Sequence, residues 1–368
     1  MIRPNMLGPE TTILSQLLQP WGDSCRPEGP PELPPRPGFS QASVVRIQTA
    51  RGPLALRGWP SPGLPRRRIL GLHRLLQHVA DCVPVAVPLP TQDGSSLVEH
   101  NRQLWQLEPW MPGVADFCDD PAPARLDEAM ATLGRFHRSA REFVPGRLET
   151  EWFASSLSMP SPAVEERLKQ LADWERRWER LVQQAHHSVA QFTEPQTPSQ
   201  QLESAGWSNS IDQIDRLFRQ GRDLVAGQLE LLQQTHYRCQ PCLRDVWHDH
   251  LLWTGPRVTG LIDPGSTRID NVAIDLARLL GSLVEDDTEG WDRGLAAYKR
   301  EAGLSLEETG LVTVLDQSGV LLSGAVWVGR LADGQIDASR TERVAQRLEM
   351  VIRRMQRLVE QTGSGLNR

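Results

Sequence analysis

The feature that most constrains this 368-residue chain is a set of polar residues placed around a short predicted hairpin. Asp245 and His250 precede an apolar segment at 251–253, a second apolar segment spans 257–262, and Asp263 follows it directly. A Gly-Pro pair between the two segments is typical of a turn, so the pattern predicts two short antiparallel strands. The sequence therefore places two carboxylates and an imidazole around one hairpin.

Such an arrangement suits phosphoryl transfer, which depends on positioning and on charge opposite the phosphate oxygens. Asp245 is the candidate catalytic residue, because a carboxylate there could accept or orient the proton of an acceptor hydroxyl. Asp263 is the candidate metal ligand, because carboxylate oxygens bind the magnesium that bridges nucleotide phosphates. The alternative is that both aspartates cap turns beside the strands.

With Asp245, His250 and Asp263 in this order around the hairpin, the segment 242–280 resembles the catalytic core of the aminoglycoside phosphotransferase and choline kinase-like family. Leu243-Arg244-Asp245 stands where that family has His-Gly-Asp, and Asp263-Pro264-Gly265 stands where it has Asp-Phe-Gly or a variant. Asp270 and Asp275 match a following helix in which the family's aspartate is mainly structural. The resemblance implies an α+β, protein-kinase-like fold of two lobes, with a small antiparallel-sheet N-terminal lobe and a mainly helical C-terminal lobe.

His250 occupies the position of the family's metal-binding Asn. Magnesium accepts nitrogen poorly, whereas manganese and zinc accept it better. Three interpretations follow: His250 is a substitute metal ligand, a donor to phosphate, or a packing residue. We expect it to keep its place in the site as a metal ligand with weaker magnesium binding.

The N-terminal region departs from the family as well. The segment 37–42, which includes Ser40, resembles a phosphate-covering loop, and Arg57 stands at the end of the next strand where the family has a phosphate-binding Lys. The only lysines in the chain are Lys169 and Lys299, so Arg57 is the candidate phosphate contact, with Ser40 beside it. An Arg can bind phosphate bidentately, although its fork is larger than an ammonium.

The predicted helix at 66–80 contains no Glu, so Arg57 cannot form there the ion pair that the family's Lys makes with a helix Glu. It carries several arginines instead. A solvated basic face is the favoured interpretation of these arginines, and a phosphate clamp is the alternative.

A further match is the segment 104–113, which resembles the family's hinge between lobes. Glu108, Trp110 and Met111 are its candidate nucleotide-base residues, since aromatic and thioether groups suit a flat purine. The alternative is a proline-rich junction with a buried Trp.

The predicted domains are an N-terminal lobe at 1–107 and a helical C-terminal lobe at 108–368, which holds the catalytic loop 243–265. A helical insert is predicted at about 151–235. Further helices are expected near 126–140, 306–329 and 339–360, and the segment 27–37 is expected to be an extended linker. In relatives such an insert forms part of the acceptor-binding wall, and scaffold is the alternative.

Composition narrows the class of partner. A formal net charge of −6 does not suggest a nucleic-acid binder, and five cysteines do not suggest a disulfide framework, so a cytoplasmic setting is expected. No membrane segment is expected, because the best apolar run, 320–328, is too short to span a bilayer. Cys239 and Cys242 with His248 and His250 leave a zinc knuckle open as an alternative.

These observations predict an ATP-dependent phosphotransferase that acts on a hydroxyl of a small-molecule acceptor and uses Mg2+ or Mn2+. The alternative is a pseudokinase, which binds nucleotide or serves as an interaction scaffold without transfer. A zinc-dependent interaction module is the third hypothesis.

Overall fold

The computed structural model describes residues 11–33, 43–192, 198–334 and 341–365. The chain divides into two compact units. Unit 1 comprises 1–155, 240–269 and 292–303, and unit 2 comprises 156–239, 270–291 and 304–368. The predicted lobe boundaries stay a prediction.

Unit 1 contains an antiparallel sheet of four strands in the order β1-β2-β4-β3. The strands are β1 Ser43–Thr49, β2 Gly52–Gly58, β3 Val98–His100 and β4 Gln103–Pro109. Arg57 of β2 lies opposite Gln106 of β4, and Ala55 lies opposite Glu108. Because side chains alternate along a strand, Arg57, Gln106 and Glu108 share one face of this sheet.

The other face of the sheet is apolar. Helix α1, Thr11–Leu18, and the adjacent Trp21 cover it. The buried residues of this cluster are Leu14, Leu17, Leu18, Trp21, Cys25, Val45, Ile47, Leu54, Leu56, Trp105 and Leu107. The sheet therefore separates an apolar core from a polar face.

The proline content predicted an extended linker at 27–37, and this prediction is wrong for the described part of the segment. The backbone N–H of Glu28 donates to the carbonyl of Gln48 at 2.8 Å, and Glu32 and Arg46 exchange two backbone hydrogen bonds of 2.8 Å each. The segment lies along β1, which satisfies backbone groups that an edge strand would otherwise leave unpaired.

The predicted hairpin is confirmed as β7, Leu251–Thr254, paired with β8, Arg257–Leu261. Val114, just after the hinge segment, exchanges backbone hydrogen bonds with Trp253 at 3.0 and 2.9 Å. On the opposite side, the N–H of Leu261 donates to the carbonyl of Pro84 at 2.7 Å. Both edges of the hairpin are thus held by backbone bonds, which fixes the residues at its end.

Unit 1 also holds α2 Arg66–Val79, α3 Pro123–Glu142, α4 Thr150–Phe153 and the second half of α8, Thr288–Ala302. His137 of α3 is buried, and its Nδ1 lies 2.9 Å from the hydroxyl of Tyr298. His137 is therefore a packed core residue of α3.

The arginines of α2 make specific contacts, where a solvated face was the favoured interpretation. Arg66 donates to Ser95, Arg67 to Glu151, Arg68 to the carbonyl of Thr267 and Arg74 to Glu149. They join α2 to the loops around it.

Unit 2 is mainly helical. Its long helices are α5 Pro162–Phe192, α6 Pro198–Leu232, α7 Ala273–Leu283, α9 Leu306–Ala332 and α10 Thr341–Gly365. Strands β5 Ser156–Pro160, β6 His236–Cys242 and β9 Arg268–Asp270 form a three-stranded sheet in the order β5-β6-β9. The helices predicted in the insert and near the C-terminus are confirmed, and β5 precedes those of the insert.

Two polar residues before α7 are built into this unit. Asp270 is fully buried, and its Oδ1 accepts from the hydroxyl of Ser161 at 2.7 Å and from the N–H of Asn271 at 2.9 Å. The Asn271 side chain donates to the carbonyl of Arg238 at 2.8 Å. These contacts agree with the structural role expected of this aspartate.

Helix α9 is long and apolar enough to cross a membrane by length and composition alone. In the structure 61% of its most apolar window is buried inside the protein. The helix packs against α5, α6, α7 and α10, as a core helix does. The described elements thus confirm the α+β class, with a small antiparallel sheet and a mostly helical remainder.

Candidate active site

Arg57 lies at the centre of the site in unit 1. Its side chain is 10% exposed, its Nη1 donates to Asp263 Oδ1 at 2.9 Å, and its Nε donates to Glu108 Oε1 at 3.5 Å. The two carboxylates hold the pKa of Arg57 above its ordinary value, although burial by itself would lower that pKa. One permanently charged guanidinium therefore joins β2 to β4 and to the end of the hairpin.

Asp263 follows β8 in a left-handed backbone conformation, with φ 57° and ψ 53°. Asp tolerates this region better than most residues, and such strain is found often at functional sites. The carboxylate bonds to Arg57 and makes no capping hydrogen bond to the turn that follows. The side chain is 32% exposed, and its second oxygen, Oδ2, lies 3.9 Å from His250 Nε2. The capping alternative for Asp263 is not supported.

Glu108 was predicted to contact a nucleotide base, and the structure places its side chain in a buried polar network. Gln106 Nε2 donates to Glu108 Oε2. Gln106 Oε1 accepts from Trp59 Nε1 at 2.7 Å and from His73 Nε2 at 2.9 Å. The hydroxyl of Ser96 lies 2.7 Å from His73 Nδ1. The network therefore runs from α2 through β4 to Arg57.

Burial sets the protonation of this network. It lowers the pKa of His73 to about 4, so the imidazole is neutral near pH 7. A neutral His73 that donates from Nε2 must accept at Nδ1, which fits the hydroxyl of Ser96. Burial also raises the pKa of Glu108, and the charge of Arg57 opposes that rise.

Sequence reasoning missed Glu108 as the partner of Arg57. The expected partner was a Glu on the helix at 66–80, which contains none. The sequence alone carries no signal for this pairing, because Arg57 and Glu108 share one face only once β2 and β4 are paired in register. That register is a tertiary feature.

His250 lies beside Asp263, with 3.9 Å between its Nε2 and Asp263 Oδ2. The carbonyl of His250 accepts from the N–H of Ile262 at 3.0 Å. Because Asp263 follows Ile262, this bond holds His250 close to Asp263 at the end of the hairpin. The indole Nε1 of Trp247 donates to His250 Nε2 at 2.8 Å. The lone pair that would bind a metal through Nε2 therefore accepts an indole hydrogen bond in this structure.

Asp245, the proposed base, is solvent-exposed in the loop after β6. Arg244 before it has a positive φ of 66°, a second non-glycine residue of this loop region in the left-handed conformation. The structure thus joins Arg57, Glu108, Asp263 and His250 by direct contacts. It places Asp245 in the catalytic loop, and the role of Asp245 stays a prediction.

The two remaining hinge residues lie at the end of β4. The N–H of Trp110 donates to the carbonyl of Pro53 at 3.1 Å, and the guanidinium of Arg46 lies 5.5 Å from the centre of the Trp110 ring. Met111 packs against Gly260 of β8. One face of Trp110 is therefore covered by an Arg of β1. Ser40 lies outside the described residues.

The donor set at Asp263 fits a divalent cation bound together with nucleotide. Magnesium in kinase sites is held by one or two carboxylates, with phosphate oxygens and waters as its other ligands. The partly exposed Asp263 supplies such a carboxylate, and His250 is the neighbouring nitrogen donor.

The zinc-knuckle alternative finds no support. Burial raises the pKa of the Cys239 thiol to about 12, which opposes formation of a thiolate in the absence of a metal. Cys239 and Cys242 are three positions apart in β6, which directs their side chains to opposite faces of the strand.

Comparison with solved structures finds similar folds among antibiotic and small-molecule kinases. An amicoumacin kinase in complex with AMP-PNP, Ca2+ and Ami matches with a TM-score of 0.59 at 14% identity, over 95% of this chain and 94% of that one. Spectinomycin phosphotransferase in complex with ADP and spectinomycin matches with a TM-score of 0.61 at 11% identity, over 88% and 91%. A microcompartment-associated aminopropanol kinase matches with a TM-score of 0.51 at 16% identity, over 96% and 99%.

These likenesses confirm the predicted kinase-like fold. No curated protein matches the chain. The model of the phosphotransferase enzyme family matches residues 33–308, which include the sheet, the hinge segment and the hairpin with Asp263. The chain belongs to the phosphotransferase enzyme family.

Proposed function

We propose that this protein transfers the terminal phosphoryl group of ATP to a hydroxyl of a small-molecule acceptor. The observation that carries the proposal is the contact of 2.9 Å between the buried Arg57 and Asp263. A permanent cation thus lies beside a partly exposed carboxylate, and the resemblance to the family implies that these two residues contact the nucleotide phosphates and their metal. Membership of the family supports the reaction class.

Each residue has a distinct proposed role. Arg57 binds phosphate oxygens, and the exposed edge of Asp263 binds the metal. His250 is the proposed second metal ligand, provided that Trp247 releases Nε2 or the ring turns to present Nδ1. Asp245 takes the proton of the acceptor hydroxyl or orients that hydroxyl for attack. Bound Mg2+ or Mn2+ would neutralise phosphate charge.

The base site is proposed at the end of β4. Met111 lies between this strand and β8, and Trp110 offers the ring face that Arg46 does not cover. Glu108 is proposed to contribute there through its backbone, since its side chain is engaged with Gln106 and Arg57. Ser40 is proposed to lie against the phosphates.

A pseudokinase is the second candidate, and one observation favours it. Arg57 Nη1 holds an oxygen of the same carboxylate that would bind the metal. If nucleotide and metal do not displace this contact, the protein binds nucleotide without transferring phosphate.

The deciding experiment is a thermal-shift titration with ATP, alone and with Mg2+ or Mn2+, followed by a screen of hydroxylated metabolites for ATP-dependent phosphorylation. ATP with metal should raise the melting temperature in proportion to occupancy, and Arg57→Ala should remove most of the rise. Arg51→Ala, an exposed change in the turn between β1 and β2, is the matched control. Absence of any shift with nucleotide or metal would contradict the proposal, and a shift without any phosphorylated acceptor would favour the pseudokinase.

A further inference from the structure

The phosphate-binding cation of this site has no carboxylate partner on α2. The helix sequence RRRILGLHRLLQHV contains no Asp or Glu. Among the described residues, the carboxylates that contact Arg57 are Glu108 of β4 and Asp263 after β8. Since Asp263 is the proposed metal ligand, Glu108 is the contact available to hold Arg57 when nucleotide and metal are bound.

We propose that Glu108 is the positioning residue for Arg57, so that the cation is held from the neighbouring strand instead of from the helix. The inference rests on the proposed nucleotide-binding function and deepens it. Glu108 acts through Arg57, and it meets no substrate atom with its own side chain.

The strand pairing makes Glu108 a rigid anchor. Backbone bonds flank the pair of strands at both ends: Trp59 N–H donates to the Leu104 carbonyl at 2.8 Å, and Trp110 N–H donates to the Pro53 carbonyl at 3.1 Å. A carboxylate on a paired strand has little freedom to move away from its partner. A helix, in contrast, can shift as a unit relative to a sheet.

Both oxygens of Glu108 are engaged, which fixes the orientation of its carboxylate. Oε1 accepts from Arg57, and Oε2 accepts from Gln106. Gln106 in turn accepts from His73 of α2 at 2.9 Å. Helix α2 therefore still contributes to the site, through the hydrogen-bonded and uncharged side chains of His73 and Gln106.

The identity of Arg57 fits this geometry. Its Nε faces Glu108 and its Nη1 faces Asp263, whereas Nη2 has no protein acceptor within the part of the chain that the structure describes. The Nη1–Nη2 edge of a guanidinium matches two phosphate oxygens at once. Glu108 binds Nε, at the other end of the guanidinium, and so directs the Nη1–Nη2 edge toward Asp263. A Lys offers one ammonium and could not be held and bind phosphate in the same way.

The experiment compares ADP with adenosine as probes, in the presence of Mg2+. Glu108→Gln keeps the shape of the side chain and removes its charge. We expect the Kd for ADP to rise roughly tenfold or more, as for loss of a hydrogen bond to a charged group. The Kd for adenosine, which has no phosphate, should stay unchanged. Glu99→Gln, an exposed change on β3 of the same sheet, is the matched control and should alter neither.

A second comparison covers the case in which Glu108→Gln does not fold. Arg57→Ala and the double variant Arg57→Ala, Glu108→Gln should bind ADP equally weakly, because Glu108 has no role once its cation is absent. A further loss of ADP affinity in the double variant would overturn the inference.

Two other results would also overturn it. Equal weakening of ADP and adenosine by Glu108→Gln would assign Glu108 to the base site, and undiminished ADP binding would leave Glu108 without a role. Both results leave the proposed function intact. If the unaltered protein binds neither ADP nor ATP, the proposed function and this inference fail together.

Discussion

Two arginine–carboxylate clusters, one in each unit, are built alike around one largely buried guanidinium and differ in their surroundings. In unit 1 Arg57 contacts Glu108 and Asp263. In unit 2 Arg354 of α10 contacts Asp286 at 3.0 Å and Asp316 at 2.9 Å. In each cluster one guanidinium lies between two carboxylates, and in unit 2 a second arginine, Arg357, contacts Asp286 at 3.3 Å.

The unit 2 cluster closes on itself. Arg354 Nε donates to Asp286, its Nη2 donates to both oxygens of Asp316, and its Nη1 donates to the carbonyl of Gly281 at 3.2 Å. All three nitrogens of this guanidinium are used within the protein. Such a cluster joins α10 to α9 and to the segment after α7.

The unit 1 cluster stays open at one end. Asp263 is 32% exposed and has a left-handed backbone, and Arg57 keeps a donor without an acceptor among the described residues. The difference is that the unit 1 cluster keeps an unused donor and a partly exposed carboxylate, as a site that binds a ligand would, whereas the unit 2 cluster uses its donors within the protein.

The largest effect is expected for Asp263→Asn. Loss of the metal-binding carboxylate should weaken ATP binding and also lower turnover, on the order of a hundredfold or more in total, since the metal bridges the phosphates. Isothermal titration and a steady-state assay measure the two effects. Asp316→Asn is the matched change in the closed cluster, and it should leave nucleotide affinity unaltered. Nucleotide binding that depended on Asp316 would break the comparison.

Asp245→Asn should lower turnover by roughly a hundredfold while ATP affinity is kept, because a general base positions the acceptor and does not hold the nucleotide. An assay with an acceptor found by screening gives kcat, and a binding titration gives the affinity. Asp249→Asn serves as the neighbouring control. Undiminished turnover of Asp245→Asn would mean that the catalytic loop is assigned in the wrong register.

A smaller, pH-dependent effect is expected at His73. Its pKa is about 4 in the folded protein and 6.5 when exposed. Between these values the unfolded chain binds a proton that the folded chain does not, so the free energy of unfolding falls as the pH falls from 6.5 to 4. Loss of the full difference is on the order of 3 kcal/mol. His73→Gln should flatten this slope in denaturant titrations at several pH values.

The closed cluster should respond to pH in the opposite sense. Burial raises the pKa of Asp316 to about 6, from 3.8, although Arg354 opposes that rise. Between pH 4 and 6 the folded chain holds a proton that the unfolded chain has lost, so this residue makes stability fall as the pH rises. If neither His73→Gln nor Asp316→Asn changes the pH dependence of the free energy of unfolding, the expected opposite responses of the two clusters are wrong.

The smallest effect is expected for the metal preference. Trp247→Phe removes the indole donor from His250 Nε2 and should free that nitrogen, which favours Mn2+ over Mg2+ by a few fold in nucleotide binding. His250→Asn should shift the preference toward Mg2+, since an amide oxygen suits that ion. Thermal-shift titrations with each metal give the preference. If all three proteins respond alike to the two metals, His250 is not a ligand.

Much of the catalytic region was predictable because its signals are local. The order of Asp245, His250 and Asp263 and the Gly-Pro turn predict the hairpin that the structure contains as β7 and β8. The helix periodicity at 66–80 and the apolar stripe of the insert predict α2, α5 and α6. Proline content misled at 27–37, since its residues can still form backbone pairs along β1.

The amino-acid sequence by itself carried the order of Asp245, His250 and Asp263 around the hairpin, and the resemblance that rests on this order implied the family and the kinase-like fold. Only the tertiary structure decided that Glu108, 51 positions after Arg57, is the partner of that cation, and that Trp247 donates to His250. The physical reason is that strand register and side-chain direction are set by packing between distant segments. A hydrogen bond between such segments leaves no periodic trace in the sequence.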